Sequence, residues 1–271
     1  MITFPNAKIN LGLYVERKRE DGYHDLSTVF YPIPLTDAVE VVEAKETALF
    51  TYGNPVDCPP EKNLVMKAYR LMEEEFKLSP VAIHLYKHIP DGAGLGGGSS
   101  DATSVAKILN SMFALGLSEE EIAVRVKRLG ADCPFFAYNR PMAARGIGDL
   151  LEPVDVDLRG YTMIVVKPDV SVPTAAAYAG MTPRVPETDV EKLVAKPVGQ
   201  WKGLLVNDFE ESIFPKHPEL SAIKQSLYDA GAVYASMSGS GSAIFGLFED
   251  DNLSDIFAAK CAQPLLYKMK L

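Results

Sequence analysis

Polar and apolar side chains alternate along residues 7–15, with Ile9, Leu11, Leu13 and Val15 on one face and Lys8, Asn10 and Tyr14 on the other. A period of two predicts a strand, and it sends Lys8 and Asn10 to the same side. Shorter apolar runs at 26–33, 38–43 and 81–86, bounded by Pro, Asp and Gly, predict further strands. The period changes at 63–76, where Leu64, Ala68, Leu71 and Met72 form the stripe of a helix, and at 99–115, where Ala102, Val105, Leu109, Met112 and Phe113 do the same. Ser118 and Glu121 have the spacing of a capping box for a third helix, with Ile122, Val126 and Leu129 as its stripe and Gly130 as its stop. Farther on, strands are predicted at 161–166, 233–237, 243–248 and 265–269, and helices at 218–230 and 253–261. Elements mixed without regular alternation predict an α+β fold. The Pro-, Asp- and Val-containing stretch 152–160 is the expected boundary between a domain at 1–153 and one at 160–271.

The chain has 271 residues, 47% of them hydrophobic, which is enough to bury a core without covalent staples. Cys58, Cys133 and Cys261 stand far apart and never in a Cys-x-x-Cys spacing, so neither a disulfide framework nor a zinc site is expected, and no metal-ligating residues are assigned. A reducing, cytoplasmic setting fits. The first residues carry no basic segment followed by an apolar one, and no apolar run approaches the roughly 20 residues of a membrane span, so neither export nor a membrane partner is expected. A net charge of −9 disfavours a non-specific nucleic-acid binder. Any anionic ligand has to be held locally, by backbone N–H groups, helix N-termini or a few placed cations.

Gly92-Ala93-Gly94-Leu95-Gly96-Gly97-Gly98-Ser99-Ser100 meets that requirement, lying between a strand-like and a helix-like segment. Successive residues without Cβ let several N–H groups turn toward one anion, and a helix beginning at Ser99 adds its positive end. A tight strand-to-helix turn alone needs only one or two glycines. No Lys-Ser or Lys-Thr follows, so the loop is not Walker A. Gly92, Gly94 and Gly97 satisfy Gly-x-Gly-x-x-Gly literally, but the acidic residues about 20 positions on belong to the capping box rather than to a strand end.

The pattern Pro-x-x-x-Gly-Leu-Gly-x-x-Ser-Ser at 90–100 resembles the central motif of the galactokinase, homoserine kinase, mevalonate kinase and phosphomevalonate kinase superfamily. Pro5-Asn6-Ala7-Lys8-Ile9-Asn10-Leu11 resembles that superfamily's first motif, and Met237-Ser238-Gly239-Ser240-Gly241-Ser242-Ala243 its third. Asp21-Gly22-Tyr23-His24, Gly130-Ala131-Asp132-Cys133-Pro134-Phe135-Phe136, Val172-Pro173-Thr174 and Asn207-Asp208-Phe209-Glu210 are similar to the diphosphocytidyl-methylerythritol kinase branch. The resemblance fades over 182–203, which receives no role. It implies an N-terminal, β-rich ATP-binding domain and a ferredoxin-like C-terminal domain, with the active site in the cleft between them. It also implies transfer of the ATP γ-phosphoryl to the 2-hydroxyl of 4-diphosphocytidyl-2-C-methyl-D-erythritol, in non-mevalonate isoprenoid precursor synthesis. ATP and Mg²⁺, the latter bound mainly through the ATP phosphates, are the implied cofactors, and a cytidine diphosphate derivative is the implied small-molecule partner.

Residue by residue, the resemblance makes Asp132 the general base and Lys8 its neighbour, which offsets charge developing on the transferred phosphoryl group. Taken alone, Asp132 reads as a turn carboxylate just past a helix C-terminus, at the unfavourable end of the dipole, and Lys8 as a snorkelling surface lysine. The loop Gly92 to Ser100 and Asn63 become the ATP site, Asn63 also being a helix cap and Ser99 and Ser100 expected caps. Asp101 reads as a first-turn carboxylate favoured by the dipole. Asn10, Tyr23, His24, Thr174 and Tyr178 become the acceptor site, the rings of Tyr23, His24 and Tyr178 being suited to stack on a pyrimidine; by themselves they are packing or surface residues. Cys133, beside Pro134 and two phenylalanines, is expected to be a buried core thiol.

Overall fold

Backbone hydrogen bonding sorts the strands into separate sheets, and the computed structural model describes residues 1–261 and 265–271. In chain order the elements begin with β1 (Ile2–Thr3), β2 (Asn6–Lys18), β3 (His24–Thr36), β4 (Ala38–Glu43), β5 (Ala48–Gly53), α1 (Leu64–Phe76) and β6 (Val81–Lys87). Next come α2 (Gly97–Met112), α3 (Glu119–Val126), α4 (Cys133–Tyr138), β7 (Met142–Arg145), β8 (Leu150–Pro153) and β9 (Thr162–Lys167). The chain continues with α5 (Thr174–Ala179), α6 (Val190–Val194), α7 (Phe209–Ile213), α8 (Pro218–Asp229), β10 (Tyr234–Met237), β11 (Ile244–Phe248), α9 (Asp251–Lys260) and β12 (Leu265–Lys270). Two compact units divide it discontinuously: Met1–Lys8, Leu35–Asp91 and Gly96–Arg140 in the first, Ile9–Pro34, Gly92–Leu95 and Pro141–Leu271 in the second.

In the first unit the sheet runs β1-β4-β6-β5, with β5 parallel to β6. A parallel pair cannot be closed by a tight turn, and α1 supplies the crossover. Odd positions of β4 and β6, namely Val39, Val41, Ile83 and Leu85, face Val65, Ala68, Tyr69 and Met72 of α1 and Ala102, Val105 and Leu109 of α2 in one buried cluster. Burial of each Val, Ile, Leu or Met side chain among these stabilises by roughly 1.5–3 kcal/mol. The helix ends follow local chemistry: Asn63 caps α1 by accepting from Val65 N at 3.1 Å, and Ser118 and Glu121 close a reciprocal capping box on α3.

The second unit contains the sheet β10-β11-β9-β12, antiparallel throughout. With α8 between β9 and β10 and α9 between β11 and β12, this is the β-α-β-β-α-β arrangement of a ferredoxin-like domain. Its core joins Ile164, Val166, Ala235, Met237 and Ile244 to Leu220, Ile223 and Leu227 of α8 and Phe257 of α9. β2 and β3 continue through β7 and β8 in a further sheet. The stretch 182–203, blank in sequence, contributes Val190, Leu193, Val194, Val198 and Trp201 to the buried residues.

Several boundaries differ from the sequence expectation. α2 begins at Gly97 rather than at Ser99, and α3 ends at Val126, so Gly130 is not its stop. β5, β7, β8 and α4 to α7 have no counterpart in the periodicity reading. α4 is buried at Cys133, Pro134, Phe135, Phe136 and Ala137, so its sequence shows no polar face from which a period could be read. Among the described residues no helix is long and apolar enough to cross a membrane.

Candidate active site

Within the first unit, Lys8 reaches Asp132 with Nζ 3.3 Å from Oδ2. Lys8 is buried at 3% exposure, which overturns the surface reading, while the Asp132 side chain keeps 34% of its surface open. The pair therefore joins a buried ammonium to a carboxylate that a ligand can still reach. The location of Asp132 also needs correction. It is the N-cap of α4, α3 having already ended at Val126, so it stands at a positive helix end and not at a negative one. The Thr103 hydroxyl on α2 lies 3.0 Å from the Cys133 carbonyl and 2.9 Å from the Ser99 carbonyl, tying the backbone after Asp132 to the helix behind the glycine loop. Burial pushes the Cys133 thiol up to about 11, as suits a core residue.

Gly92, Gly94 and Gly96 all occupy the left-handed region, with φ of 59°, 76° and 71°. A Cβ at Gly96 would lie 2.9 Å from Phe136 Cζ and 3.1 Å from Lys8 Cγ, and one at Gly97 would lie 2.9 Å from Ile89 Cγ2. Gly98 differs: its nearest neighbour would be Leu64 Cδ1 at 3.5 Å, an ordinary contact. Ser99 and Ser100 lie inside the first turn of α2, whose N-cap is Gly96, so the expectation that they cap the helix is corrected. Asp101 is likewise not a solvated first-turn carboxylate; it is buried and ion-paired to Lys87. Asn63 is buried and committed to capping α1 through its side-chain oxygen.

The start of the loop clusters with the second unit. Ala93 O accepts from Ala243 N at 3.2 Å, and Gly94 O accepts from the Ser238 hydroxyl at 2.8 Å. A Cβ on Gly94 would lie 2.0 Å from Ser238 O, so glycine is required there by close backbone approach. Asn207 Nδ2 donates to both Met237 O and Gly239 O at 2.8 Å, fixing the turn of the third motif, and its Oδ1 accepts from Phe209 N. Asn10, also buried, donates to Thr28 Oγ1 at 3.0 Å. Tyr23, His24, Thr174 and Tyr178 line one cavity of ≈550 Å³, together with Lys18. The His24 ring stacks on Tyr178 with centroids 4.7 Å apart, and Tyr178 meets Phe209 edge-on at 4.8 Å.

Comparison with known proteins gives the family. Residues 63–140 match the family model described as the GHMP kinases N terminal domain, and residues 190–264 match GHMP kinases C terminal. A 4-diphosphocytidyl-2-C-methyl-D-erythritol kinase of Bacteroides thetaiotaomicron is 52% identical over 93% of this chain and 93% of its own length. The chain belongs to this kinase family, within the GHMP kinases. A kinase of the same description from Cytophaga hutchinsonii is 46% identical over 98% of this chain and 100% of its own. Among solved structures, a 4-(cytidine 5'-diphospho)-2C-methyl-D-erythritol kinase superposes with a TM-score of 0.84 at 33% identity, covering 99% of this chain and 98% of that one. Mevalonate kinase of Methanococcus jannaschii shares the fold, with a TM-score of 0.73 at 15% identity over 100% and 98% of the two chains.

In this kinase the sequence motifs came together as follows: Lys8 with Asp132, Gly96 against Lys8, and Tyr23, His24, Thr174 and Tyr178 around one cavity. What the motif reading left without a role is the support. Asn207 and Ser238 stood inside quoted motifs, which was the available signal. Lys87, Asp37 and Thr103 carried none, because their partners are brought together only by folding.

Proposed function

We propose that the chain transfers the γ-phosphoryl group of ATP to the 2-hydroxyl of 4-diphosphocytidyl-2-C-methyl-D-erythritol. As a member of its family it is an ATP-dependent small-molecule kinase. The observation that carries the mechanistic reading is the buried Lys8 beside the partly open Asp132 carboxylate. Asp132 accepts the proton of the acceptor hydroxyl as its oxygen bonds to phosphorus and the bond from phosphorus to the ADP oxygen breaks. Lys8 offsets the negative charge that develops on the transferred group. The amides of Gly92, Ala93, Gly94, Leu95, Gly96, Gly97 and Gly98, with Ser99 and Ser100, hold the ATP phosphates, and the open space over Gly92 suits such a ligand. Mg²⁺ would be carried mainly by the ATP phosphates and would neutralise part of their charge. Asn63 is assigned to adenine, Asn10 and Thr174 to the acceptor, and Tyr23, His24 and Tyr178 to its cytosine.

A coupled assay of ADP release with ATP, Mg²⁺ and a panel of acceptor alcohols tests this reading. The cytidine diphosphate derivative is expected to have the highest kcat/KM by a wide margin. Turnover of mevalonate or homoserine at equal or higher kcat/KM would refute the acceptor assignment.

A further inference from the structure

Under the first turn of α2, one ammonium serves two buried carboxylates. Lys87 Nζ, at the end of β6, lies 2.7 Å from Asp101 Oδ2 and also pairs with Asp37 Oδ2. All three side chains are at most 7% exposed. The two acids are not equivalent. Asp37 Oδ1 accepts from the backbone N–H groups of His88 at 2.5 Å and Ile89 at 2.7 Å, so both of its oxygens are satisfied as a carboxylate. Asp101 Oδ1 is buried with no hydrogen-bond partner. An ionised carboxylate with an orphaned oxygen is among the costliest buried groups, whereas its protonated form is neutral. Fully ionised, the cluster would carry one uncompensated negative charge; with a proton on Asp101 it is neutral.

The cluster sits against the loop assigned to phosphates. A Cβ on Gly97 would lie 3.3 Å from Lys87 Nζ, and Asp101 itself belongs to the helix that the loop opens. We propose that Lys87, Asp37 and Asp101 form a proton-carrying anchor for the phosphate loop, and that nucleotide binds tightly only while the cluster holds its extra proton. The inference rests on the reading of the loop as an ATP site. A negative charge appearing beneath the start of the helix is itself attracted by the dipole, but it cancels part of the positive potential that this helix end offers a ligand and repels the polyanion above it.

The direction of the linkage follows from the environment of Asp101. Burial pushes its carboxyl up to about 8, Lys87 opposes this, and Asp37 adds repulsion and a hydrogen bond that a proton on Asp101 can donate. From the elements packed around it, the ionisable groups acting on Asp101 are Lys87 on β6 and Asp37 between β3 and β4. Cys133 of α4, pushed up to about 11, does not titrate in the same window. The favourable state is therefore present below about pH 8 and lost as pH rises through that value.

The experiment is calorimetric binding of the ATP analogue with a terminal thiophosphate, which keeps the bridging oxygens, with Mg²⁺ from pH 7.5 to 9.5, a range in which a terminal group of pKa about 6 or below is already ionised. Circular dichroism confirms folding at each pH. Wild-type affinity is expected to fall about tenfold across the range, the consequence of a coupling near one pKa unit, with net proton uptake on binding detected from buffers of different ionisation heat. Asp101→Asn, isosteric with the protonated acid, is expected to abolish both the slope and the proton uptake. Constant affinity in folded wild type, or an undiminished slope in Asp101→Asn, overturns the proposal. If the variant fails to fold, proton uptake in wild type decides alone. Absence of analogue binding at every pH would instead overturn the phosphate-loop reading, and the anchor with it.

Discussion

Adding a methyl group at Gly98 separates ligand approach from folding in a way that Gly96 cannot. At Gly96 the backbone is left-handed at φ 71°, and the new carbon would lie 2.9 Å from Phe136. The first effect costs about 1–2 kcal/mol and the overpacking about 1–3 kcal/mol, together a large part of a typical domain's stability. Loss of activity in Gly96→Ala would therefore report on the fold. Gly98 has no positive φ, its Cβ would lie 3.5 Å from Leu64 Cδ1, and alanine is favoured over glycine in a helix by up to about 1 kcal/mol. Gly98→Ala should keep or raise the melting temperature of the ligand-free protein. If its amide approaches a phosphate oxygen, loss of one hydrogen bond to a charged group costs about 1.5–3 kcal/mol, which is roughly a 10- to 150-fold weakening of ATP binding. Thermal unfolding and calorimetry on the same preparation measure the two effects. A folded Gly98→Ala variant that binds ATP like wild type would show that phosphate does not approach this turn.

Asp132→Asn should lower kcat by about 10²–10⁴ while ATP affinity and melting temperature stay close to wild type, as steady-state kinetics and thermal unfolding will show; near-normal kcat would remove the general-base assignment. His24→Ala should narrow the kcat/KM gap between the cytidine substrate and its uridine analogue by a factor worth about 1–3 kcal/mol, because the imidazole is the polar group of the stack on Tyr178, whereas Tyr23→Ala should lower both and keep the gap; an unchanged ratio in His24→Ala places base reading elsewhere. Because the folded-state pKa of Asp101 is raised to about 8, its contribution to stability is full in acid and is lost as pH rises from the usual carboxylate range to about 8, so the melting temperature of Asp101→Asn should vary less than that of wild type between pH 5 and 9. Iodoacetamide at pH 8 should label exposed Cys58 in the native protein and leave buried Cys133 unmodified until denaturant is added, as mass spectrometry of peptides will show.

Local pattern alone determined much of this kinase. The alternation in β2, the stripes of α1 and α2, the Asn63 cap and the Ser118–Glu121 capping box depend on residues within a few positions of one another, and these are correct to within a residue or two at most ends. Glycine density marked the loop proposed for the phosphates for the same reason, and the ordered motifs carried the family. Local pattern failed where burial removed it, as in α4, and where elements are too short or exposed for a period to show, as in β5 and α6. It also misjudged single polar residues. Lys8 and Asp101 resemble surface residues in sequence because their burial depends on partners far along the chain, Asp132 for one and Lys87 with Asp37 for the other. Tertiary structure alone decided that Asp132 begins a helix, that Asn207 holds the turn at Gly239, and that His24 lies on Tyr178. A charge or hydrogen-bonding group is marked in sequence by its type, but its protonation, exposure and role are set by what lies within a few ångströms, and across such separations only the folded chain specifies that.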